Sequence, residues 1–342
     1  MIMNKIVLLA SIAFLLAMPV ELYGQAVSIT KTGTTAASFL KIGIGARSIG
    51  MGGAFASVSD DISAIYWNSA GLTYLQQNEA SFNHVDWIAD VKYDVASAAI
   101  VIEDFGTLGA TFATLNAGEM EVTTTNMPEG TGERFSAGAT MIGVSYARAL
   151  TTQFSIGFTA KYLREYIWNE SSQAFALDIG TLYNAQLLNG VRIGASMSNF
   201  GPKMRMEGRD ALLLVKTGAG QKNIVNAQYE LDSYELPLIF RVGLATDVVK
   251  TVNNRFTIAV DAVHPNDNTE YVNTGAEYSW AEVVFFRGGW KSAYERGGEQ
   301  GLTLGAGIHY TLTAPVEFLF DYAYQDFGRL KEVHYFSFGL RY

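Results

Sequence analysis

The stretch FLKIGIGARSIGMGGAFASVSDDISAIYWNSAGL, residues 39–72, differs in character from everything that follows it in the chain. It is rich in Gly, Ala and Ser and shows no period of two, whereas the sequence after about Asn78 alternates apolar and polar residues. Its glycines allow close backbone packing or positive φ angles. We therefore predict that residues 27–77 form a compact plug, built of turns and one or two short helices, around which the rest of the chain folds.

The predicted plug carries a motif of glycines and polar residues. Asp60 and Asp61 precede a predicted short helix, Ile62–Trp67, and are expected to cap it; calcium binding by the two carboxylates is the less favoured alternative. A dinucleotide-binding loop at 43–50 is also disfavoured, because that fingerprint needs a preceding strand and a following helix, and no helical pattern follows. The motif consists of Gly45, Arg47, Gly50, Gly52, Gly53, Asp60, Asp61, Asn68 and Gly71.

The first 26 residues have the features of a secretion signal. Lys5 supplies a positive charge, an apolar run follows from Ile6 to Ala17, and small residues stand at Gly24 and Ala26. The run is shorter than the ~20 residues that a membrane-spanning helix needs. We predict a signal peptide that is cleaved near residues 24–26. The chain has no Cys, so neither a cysteine-linked lipid anchor nor a disulfide is expected.

The composition indicates a protein of the outer membrane. Apolar residues make up 49% of the chain, charged residues only 17%, and there are 20 Phe and 18 Tyr. Soluble domains usually carry ~25% charged residues. Together with the signal peptide, this composition predicts an all-β fold: a transmembrane antiparallel β-barrel in the outer membrane of a Gram-negative bacterium, in contact with lipid. The net charge of −9 argues against a nucleic-acid partner.

The strand pattern supports a barrel that spans residues 78–342. In 154–166, Phe154, Ile156 and Phe158 share one face, while Ser155 and Thr159 share the other. About fourteen such segments occur, each near the ~9–11 residues that a barrel strand needs. The predicted strands start near 78, 92, 106, 135, 152, 173, 189, 236, 254, 270, 282, 300, 314 and 331.

The connections between these strands alternate in length. Those near 103–106, 150–152, 280–282 and 313–315 are short, whereas 118–133, 200–237 and 292–299 are longer. Barrels of this type place short turns in the periplasm and long loops outside the cell. With the plug entering from the periplasmic side, the long connections fall outside, and we predict that 201–236 is a long extracellular loop.

The polar faces of the strands are predicted to line the lumen. Positive and negative side chains occur there in equal number, seven of each. A selective ion pore carries rings of one sign, so the mixture favours salt-bridged pairs that fill the lumen and hold the plug. The predicted lumen charges are Lys161, Glu165, Asp178, Arg192, Arg241, Asp247, Arg255, Asp261, Glu277, Arg287, Glu317 and Asp321, with Lys291 and Arg341.

No enzyme, metal or cofactor site is predicted. The four histidines are scattered along the chain and show no zinc-binding spacing. His309 is expected to face inward, but no serine motif supplies a nucleophile within its reach. His334 is expected on the lipid face.

Three stretches resemble the PorV/PorQ family of outer-membrane proteins, which is itself related to FadL-type transporters. They are 33–72, SNFGPKMRMEGRD at 198–210 and DYAYQDFGRLKEVHYFSFGLRY at 321–342. The family usually has N-P-A-G-L in the plug, where this chain has Asn68-Ser69-Ala70-Gly71-Leu72. The resemblance implies a fourteen-stranded barrel with an N-terminal plug in the lumen.

The resemblance also implies two alternative functions. In the PorV branch, the barrel works with the type IX secretion system, together with its other components, and receives cargo proteins that bear a C-terminal signal domain. The loop 201–236 supports this role, since its apolar run Leu212, Leu213, Leu214 and Val215 could contact such a partner. In the FadL branch, the barrel passes hydrophobic small molecules.

The FadL alternative requires an apolar pocket between plug and wall. Plug packing is the simpler interpretation of the side chains that could form such a pocket. They are Phe39, Ile44, Met51, Phe55, Tyr66 and Trp67.

Overall fold

The computed structural model describes residues 32–185, 190–216, 224–295 and 298–342, so the predicted signal peptide lies outside the described residues. Fourteen antiparallel strands form a closed ring, in which each strand pairs with its neighbours in sequence and the first pairs with the last. This confirms the predicted barrel. The predicted strand starts differ from the observed ones by three residues at most; the largest differences are at the strand that starts at Glu170, predicted at 173, and at the strand that starts at Ile239, predicted at 236. The ring strands are β1 (Glu79–Asp86), β2 (Lys92–Ile102), β3 (Gly106–Glu121), β4 (Arg134–Ala149), β5 (Phe154–Ile167), β6 (Glu170–Ala185), β7 (Val191–Phe200), β11 (Ile239–Lys250), β12 (Asn254–Pro265), β13 (Tyr271–Trp280), β14 (Val284–Ala293), β15 (Leu302–Thr313), β16 (Val316–Asp326) and β17 (Glu332–Arg341).

The connection between β7 and β11 has secondary structure of its own. Its strands β8 (Glu207–Gly208), β9 (Leu212–Lys216) and β10 (Ile224–Gln228) were not predicted. β8 extends the edge of β6, whereas β9 and β10 form a separate two-stranded hairpin. A short 3₁₀ helix, Arg209–Ala211, lies between β8 and β9.

The side chains along each strand alternate between the outer and the inner face of the barrel, as the sequence predicts. Along β15, Leu304 and Ile308 are exposed on the outer face, while Thr303 and His309 are buried on the inner face. Because outward residues of a membrane barrel meet lipid, the exposed apolar side chains form its lipid-facing band.

All connections on the side where β1 begins are short, as at 103–105 and 281–283. The opposite side carries the longer connections, 122–133 and 201–238. The rule for outer-membrane barrels predicts that the first side is periplasmic and the second extracellular.

The plug segment, by which we mean the described residues 32–77, contacts opposite sides of the ring. Helix α1 (Ala46–Gly50) packs against β14–β17, and the 3₁₀ helix Ser69–Tyr74 packs against β3–β6. Most side chains between these helices are buried. Further 3₁₀ turns are Ser38–Lys41 in the plug segment and Ile88–Asp90 and Gly328–Leu330 between strands. No helix in the described ranges is long and apolar enough to cross a membrane.

The helix predicted at Ile62–Trp67 is shorter than expected. It begins at Ala64 as α2 (Ala64–Trp67), and its N-cap, Ser63, makes no side-chain capping bond. The preceding residues form turns, in which Asp61 Oδ1 accepts from the Ser63 amide at 2.9 Å while Asp60 and the other oxygen of Asp61 accept from Arg47.

Glycines on the inner face of the wall let the plug backbone approach closely. A Cβ added at Gly275 would stand 2.1 Å from the Met51 carbonyl oxygen, and one at Gly194 would stand 2.1 Å from that of Ala56. Gly157 and Gly289 meet plug backbone in the same way. Such contacts leave no room for a side chain, so these positions require glycine if the plug segment is to keep its place.

The orientation of the barrel is tested by cysteine labelling. We expect Met127→Cys and Asn226→Cys, both in the longer connections, to react with a membrane-impermeant maleimide on intact cells. Thr151→Cys and Ala281→Cys, in short turns, should react only after the outer membrane is permeabilised. The reverse labelling pattern would contradict the assigned orientation.

The close packing of plug and wall is tested by adding one methyl group. Gly275→Ala should lower the temperature of the heat-induced gel shift, since overpacking of a filled site typically costs about 1–3 kcal/mol. Gly288→Ala on the adjacent strand is the matched control, because its added Cβ would meet only Leu304, at 4.0 Å. Equal effects of the two substitutions would mean that the contact with Met51 does not limit stability.

Candidate functional site

A buried charge cluster joins the plug segment to the wall. Arg47 of α1 donates from Nε to Glu277 Oε2 at 2.8 Å and from Nη2 to Oε1 at 3.0 Å. Its Nη1 reaches Asp60 at 2.5 Å and Asp61 at 2.9 Å. A guanidinium suits this task because its planar fork binds a carboxylate with two hydrogen bonds. Arg47 therefore links helix α1 and the turn at Asp60 and Asp61 to strand β13.

Two wall arginines converge on the same carboxylate. Arg287 donates to Glu277 at 2.7 Å and to Asp321 at 2.5 Å, and Arg255 donates to Glu277 at 3.1 Å. The Glu277 side chain is fully buried. A charge at such a site is stable only when it is paired and hydrogen-bonded, and three guanidinium groups provide this. The cluster therefore holds the plug segment and the wall together.

Other predicted lumen charges also find partners across neighbouring strands. Lys161 lies 2.5 Å from Asp178, Arg192 lies 3.0 Å from Asp247, and Arg341 lies 3.1 Å from Glu317. These contacts agree with the interpretation that mixed charges fill the lumen as pairs.

Two of the predicted lumen carboxylates bind plug backbone instead of a cation. Asp261 Oδ2 accepts from the amides of Phe55 and Ala56, both at 2.8 Å, and Glu165 accepts from the Ala37 amide at 3.0 Å. Backbone amides stabilise a carboxylate well, so these acids position the plug segment without a counter-ion.

Some polar residues of the site were not predicted from the sequence. Glu79 at the start of β1 binds Arg341 at 3.0 Å, and Asp267 after β12 binds Lys41 at 2.6 Å. Glu79 shares a strand face with Ser81 and Asn83, so its inward position could have been read from the period of two. Asp267 lies in a turn, where no periodicity indicates direction.

The remaining polar motif residues also serve structure. Asn68 caps the 3₁₀ helix Ser69–Tyr74, since its Oδ1 accepts from the Ala70 amide at 3.2 Å, and its Nδ2 donates to the Ala56 carbonyl at 2.7 Å. Gly71 lies against Ser59, where an added Cβ would stand 1.9 Å from the carbonyl oxygen. Among the described residues, no group of three or more His, Asp and Glu could hold a metal ion.

The two histidines singled out in the sequence contact wall residues. His309 is buried with Nε2 3.7 Å from Asp321 Oδ2. His334 is half-buried, with Nδ1 2.8 Å from the Tyr322 hydroxyl.

The long connection between β7 and β11 is anchored at its base. Met204 and Tyr234 exchange two backbone hydrogen bonds of 2.8 Å, and Asp210 accepts from Asn169 at the tip of the β5–β6 hairpin. The Ala36 amide of the plug segment donates to the Glu235 carbonyl at 2.9 Å. The base of the loop is thus fixed to the wall and to the plug segment together.

The hairpin that follows this base exposes apolar side chains on both faces. Leu212, Leu214 and Ile224 are 57%, 71% and 56% exposed on one face, and Val215 and Val225 are exposed on the other. Leu213 is half-buried. A two-stranded hairpin also has two unpaired edges. The predicted apolar run therefore lies on a protruding strand, a form suited to contact with another chain.

A cavity of about 670 Å³ lies between the plug segment and the strand ends that carry the longer connections. We call it the vestibule. Phe39, Tyr66 and Trp67 of the plug segment form part of its lining, and further apolar, polar and charged side chains of the plug segment and the wall line the rest. Ile44, Met51 and Phe55, which were also considered as pocket residues, are buried in the core and do not line the vestibule.

The chain matches one protein family and a group of solved barrels. The model of the type IX secretion system protein PorV matches residues 25–262. The fold is similar to the CymD monoaromatic hydrocarbon channel, with TM-score 0.57, 13% identity and coverage of 87% of this chain and 96% of that one. It is also similar to the Ralstonia pickettii toluene transporter TbuX, with TM-score 0.55, 12% identity and coverage of 88% and 98%. The identities are too low to carry function, so these likenesses concern the fold. No curated protein sequence matches the chain.

The charge cluster is tested by removing its central carboxylate. Glu277→Gln should lower barrel stability by about 3–5 kcal/mol, because three buried guanidinium groups lose their counter-charge. The measurement is the temperature of the heat-induced gel shift. Glu299→Gln is the control, since Glu299 lies in a rim loop, where hydrogen bonds from Arg329 lower its carboxyl pKa and a surface pair contributes little. A shift no larger for Glu277→Gln than for Glu299→Gln would refute the central role of Glu277.

Proposed function

Because the chain belongs to the PorV family of type IX secretion system proteins, we propose that it is an outer-membrane barrel that receives secreted cargo proteins at the cell surface. The observation that carries this proposal is the apolar hairpin β9–β10, which projects from an anchored base on the extracellular side. Family and fold are those of outer-membrane transport or secretion components rather than of enzymes.

The hairpin favours a protein partner for three reasons. Its exposed leucine, isoleucine and valine side chains would be covered on docking, which stabilises a complex by the hydrophobic effect. Its unpaired strand edges offer backbone hydrogen bonds to a strand of the partner. Its base is held by backbone hydrogen bonds and by the contact between Asp210 and Asn169, so docking need not order the whole loop.

The interior of the barrel also supports a partner that binds from outside. The plug segment packs against opposite walls with most of its side chains buried, which leaves no passage for a folded domain within the described residues. A cargo domain would therefore meet the barrel from outside. The partners expected are cargo proteins with a C-terminal signal domain and other components of the secretion system.

A conduit for hydrophobic small molecules is the second candidate, and the vestibule is the observation that favours it. The structurally similar CymD and TbuX are a monoaromatic hydrocarbon channel and a toluene transporter. For this chain, such a role would require the plug segment to move. A bulky substitution at Gly52 or Gly53 should then block uptake of hydrophobic small molecules. At Gly52, an added Cβ would stand 2.5 Å from the Thr274 carbonyl oxygen.

The proposal is tested by replacing 212–228 with a short Gly-Ser linker. This deletion should leave a folded, membrane-inserted barrel but abolish copurification of proteins with the C-terminal signal domain. The triple substitution Leu212→Ser, Leu214→Ser and Ile224→Ser should reduce copurification at least tenfold, because it removes apolar surface without shortening the loop.

The matched control is Met127→Ser, which removes an exposed apolar side chain from another extracellular loop and should leave copurification unchanged. Gel mobility and surface labelling report folding and insertion of each variant. If the loop-shortened barrel still captures cargo, or if only substitutions at Gly52 and Gly53 affect transport, the secretion role should be abandoned for the conduit.

A further inference from the structure

Two of the seven predicted lumen cations differ from the other five. Lys161, Arg192, Arg255, Arg287 and Arg341 each form a salt bridge with a carboxylate. Within the described ranges, Arg241 and Lys291 form none, because two of the seven lumen carboxylates, Asp261 and Glu165, are hydrogen-bonded to plug backbone. Both cations line the vestibule.

Arg241 is held in a fixed orientation. Its guanidinium carbon lies 5.6 Å from the ring centre of Tyr66 and 5.3 Å from that of Trp67. Its Nη1 donates to Ser198 Oγ at 3.2 Å. A guanidinium has five N–H donors, so this arrangement leaves donors for a ligand while the aromatic rings support the plane of the group.

Lys291 is the second cation. It lies near the extracellular end of β14 and is only 7% exposed. No salt bridge or side-chain hydrogen bond connects its ammonium group to another residue in the described part of the chain, whereas its backbone amide donates to Gly301 at 2.9 Å. A buried ammonium group without a partner is costly, and an anion in the vestibule would remove this cost.

Three acidic side chains also face the vestibule, and each has a partner elsewhere. Asp267 binds Lys41 at 2.6 Å, and Glu165 accepts from the Ala37 amide. Glu295 accepts from Asn268 Nδ2 at 2.5 Å. The acids are therefore engaged at the plug segment and the rim, and Arg241 and Lys291 remain as the cations available to a ligand.

We propose that Arg241 and Lys291 form a binding site for a carboxylate that is attached to an apolar group. The carboxylate would be bound by the two cations, and the apolar group would pack against Phe39, Trp87 and Tyr271, which line the same cavity. The volume, about 670 Å³, lies in the range of ~300–1,000 Å³ typical of ligand pockets. A small amphiphile and the C-terminal end of a peptide share this chemistry. The site depends on neither candidate function.

The test measures binding to the purified full-length barrel in neutral lipid nanodiscs. One pair of probes is decanoate and decanol, and the other is an apolar pentapeptide with a free C-terminus and the same peptide as its amide. At least one carboxylate probe should bind ten or more times tighter than its neutral analogue. Tighter binding of decanoate alone identifies a small amphiphile as the ligand, and tighter binding of the free peptide alone identifies a chain terminus.

The substitutions identify the cations responsible. Lys291→Met and Arg241→Gln should each weaken binding of the carboxylate probe at least tenfold. Lys41→Met is the control with the same change in charge and in the same cavity; because Lys41 is already paired with Asp267, its loss should change affinity less than twofold. If Arg241→Gln fails to fold, Lys291→Met decides alone. Equal affinity for carboxylates and their neutral analogues, or equal loss in Lys291→Met and Lys41→Met, would overturn the proposal.

Discussion

The buried pairing of Arg47 with Glu277 is the interaction on which the interior of this barrel depends. Glu277 is surrounded by three guanidinium groups, and only one of them comes from the plug segment. Arg47 in turn fixes the turns at Asp60 and Asp61. A buried charge without its partner is strongly destabilising. The wall and the plug segment therefore stabilise each other, because Arg47 and Glu277 would each lose a charged partner if the two were separated.

This electrostatic arrangement works only with close backbone contact. Gly194 and Gly275 remove side chains from the inner wall where the plug backbone passes, and Asp261 then reaches the plug amides directly. The outer face follows the opposite rule, with large apolar side chains toward lipid. The inner face of each strand is therefore suited to contact with the plug segment and the outer face to contact with lipid. Because successive residues point to opposite faces, one strand can meet both requirements.

The same separation explains what could be predicted from the sequence. Strand positions and the inward side of charges such as Asp321 follow from alternation, which is a local property. Pairing partners do not, because Arg47 and Glu277 are distant in sequence and meet only in the closed ring. The expected cap is met in part by Asp61, whose Oδ1 accepts from the Ser63 amide at 2.9 Å, but the contacts of Asp60 and Asp61 with Arg47 could not be predicted from local sequence. Strands β9 and β10 were missed because neither five-residue segment has a clear period of two. That Arg241 and Lys291 lack a salt-bridge partner could not be recognised before the partners of the other charges were known.

The pairing of β1 with β17 has a consequence for how the barrel is assembled. Glu79 lies opposite Arg341, so the seam joins strands separated by almost the whole ring sequence. The plug segment directly precedes β1 and touches strands on both sides of that seam. Contacts of such long range form late in folding. We therefore expect the seam between β1 and β17 to close only after the plug segment has packed against the strands beside it, so that closure of the ring encloses the plug segment.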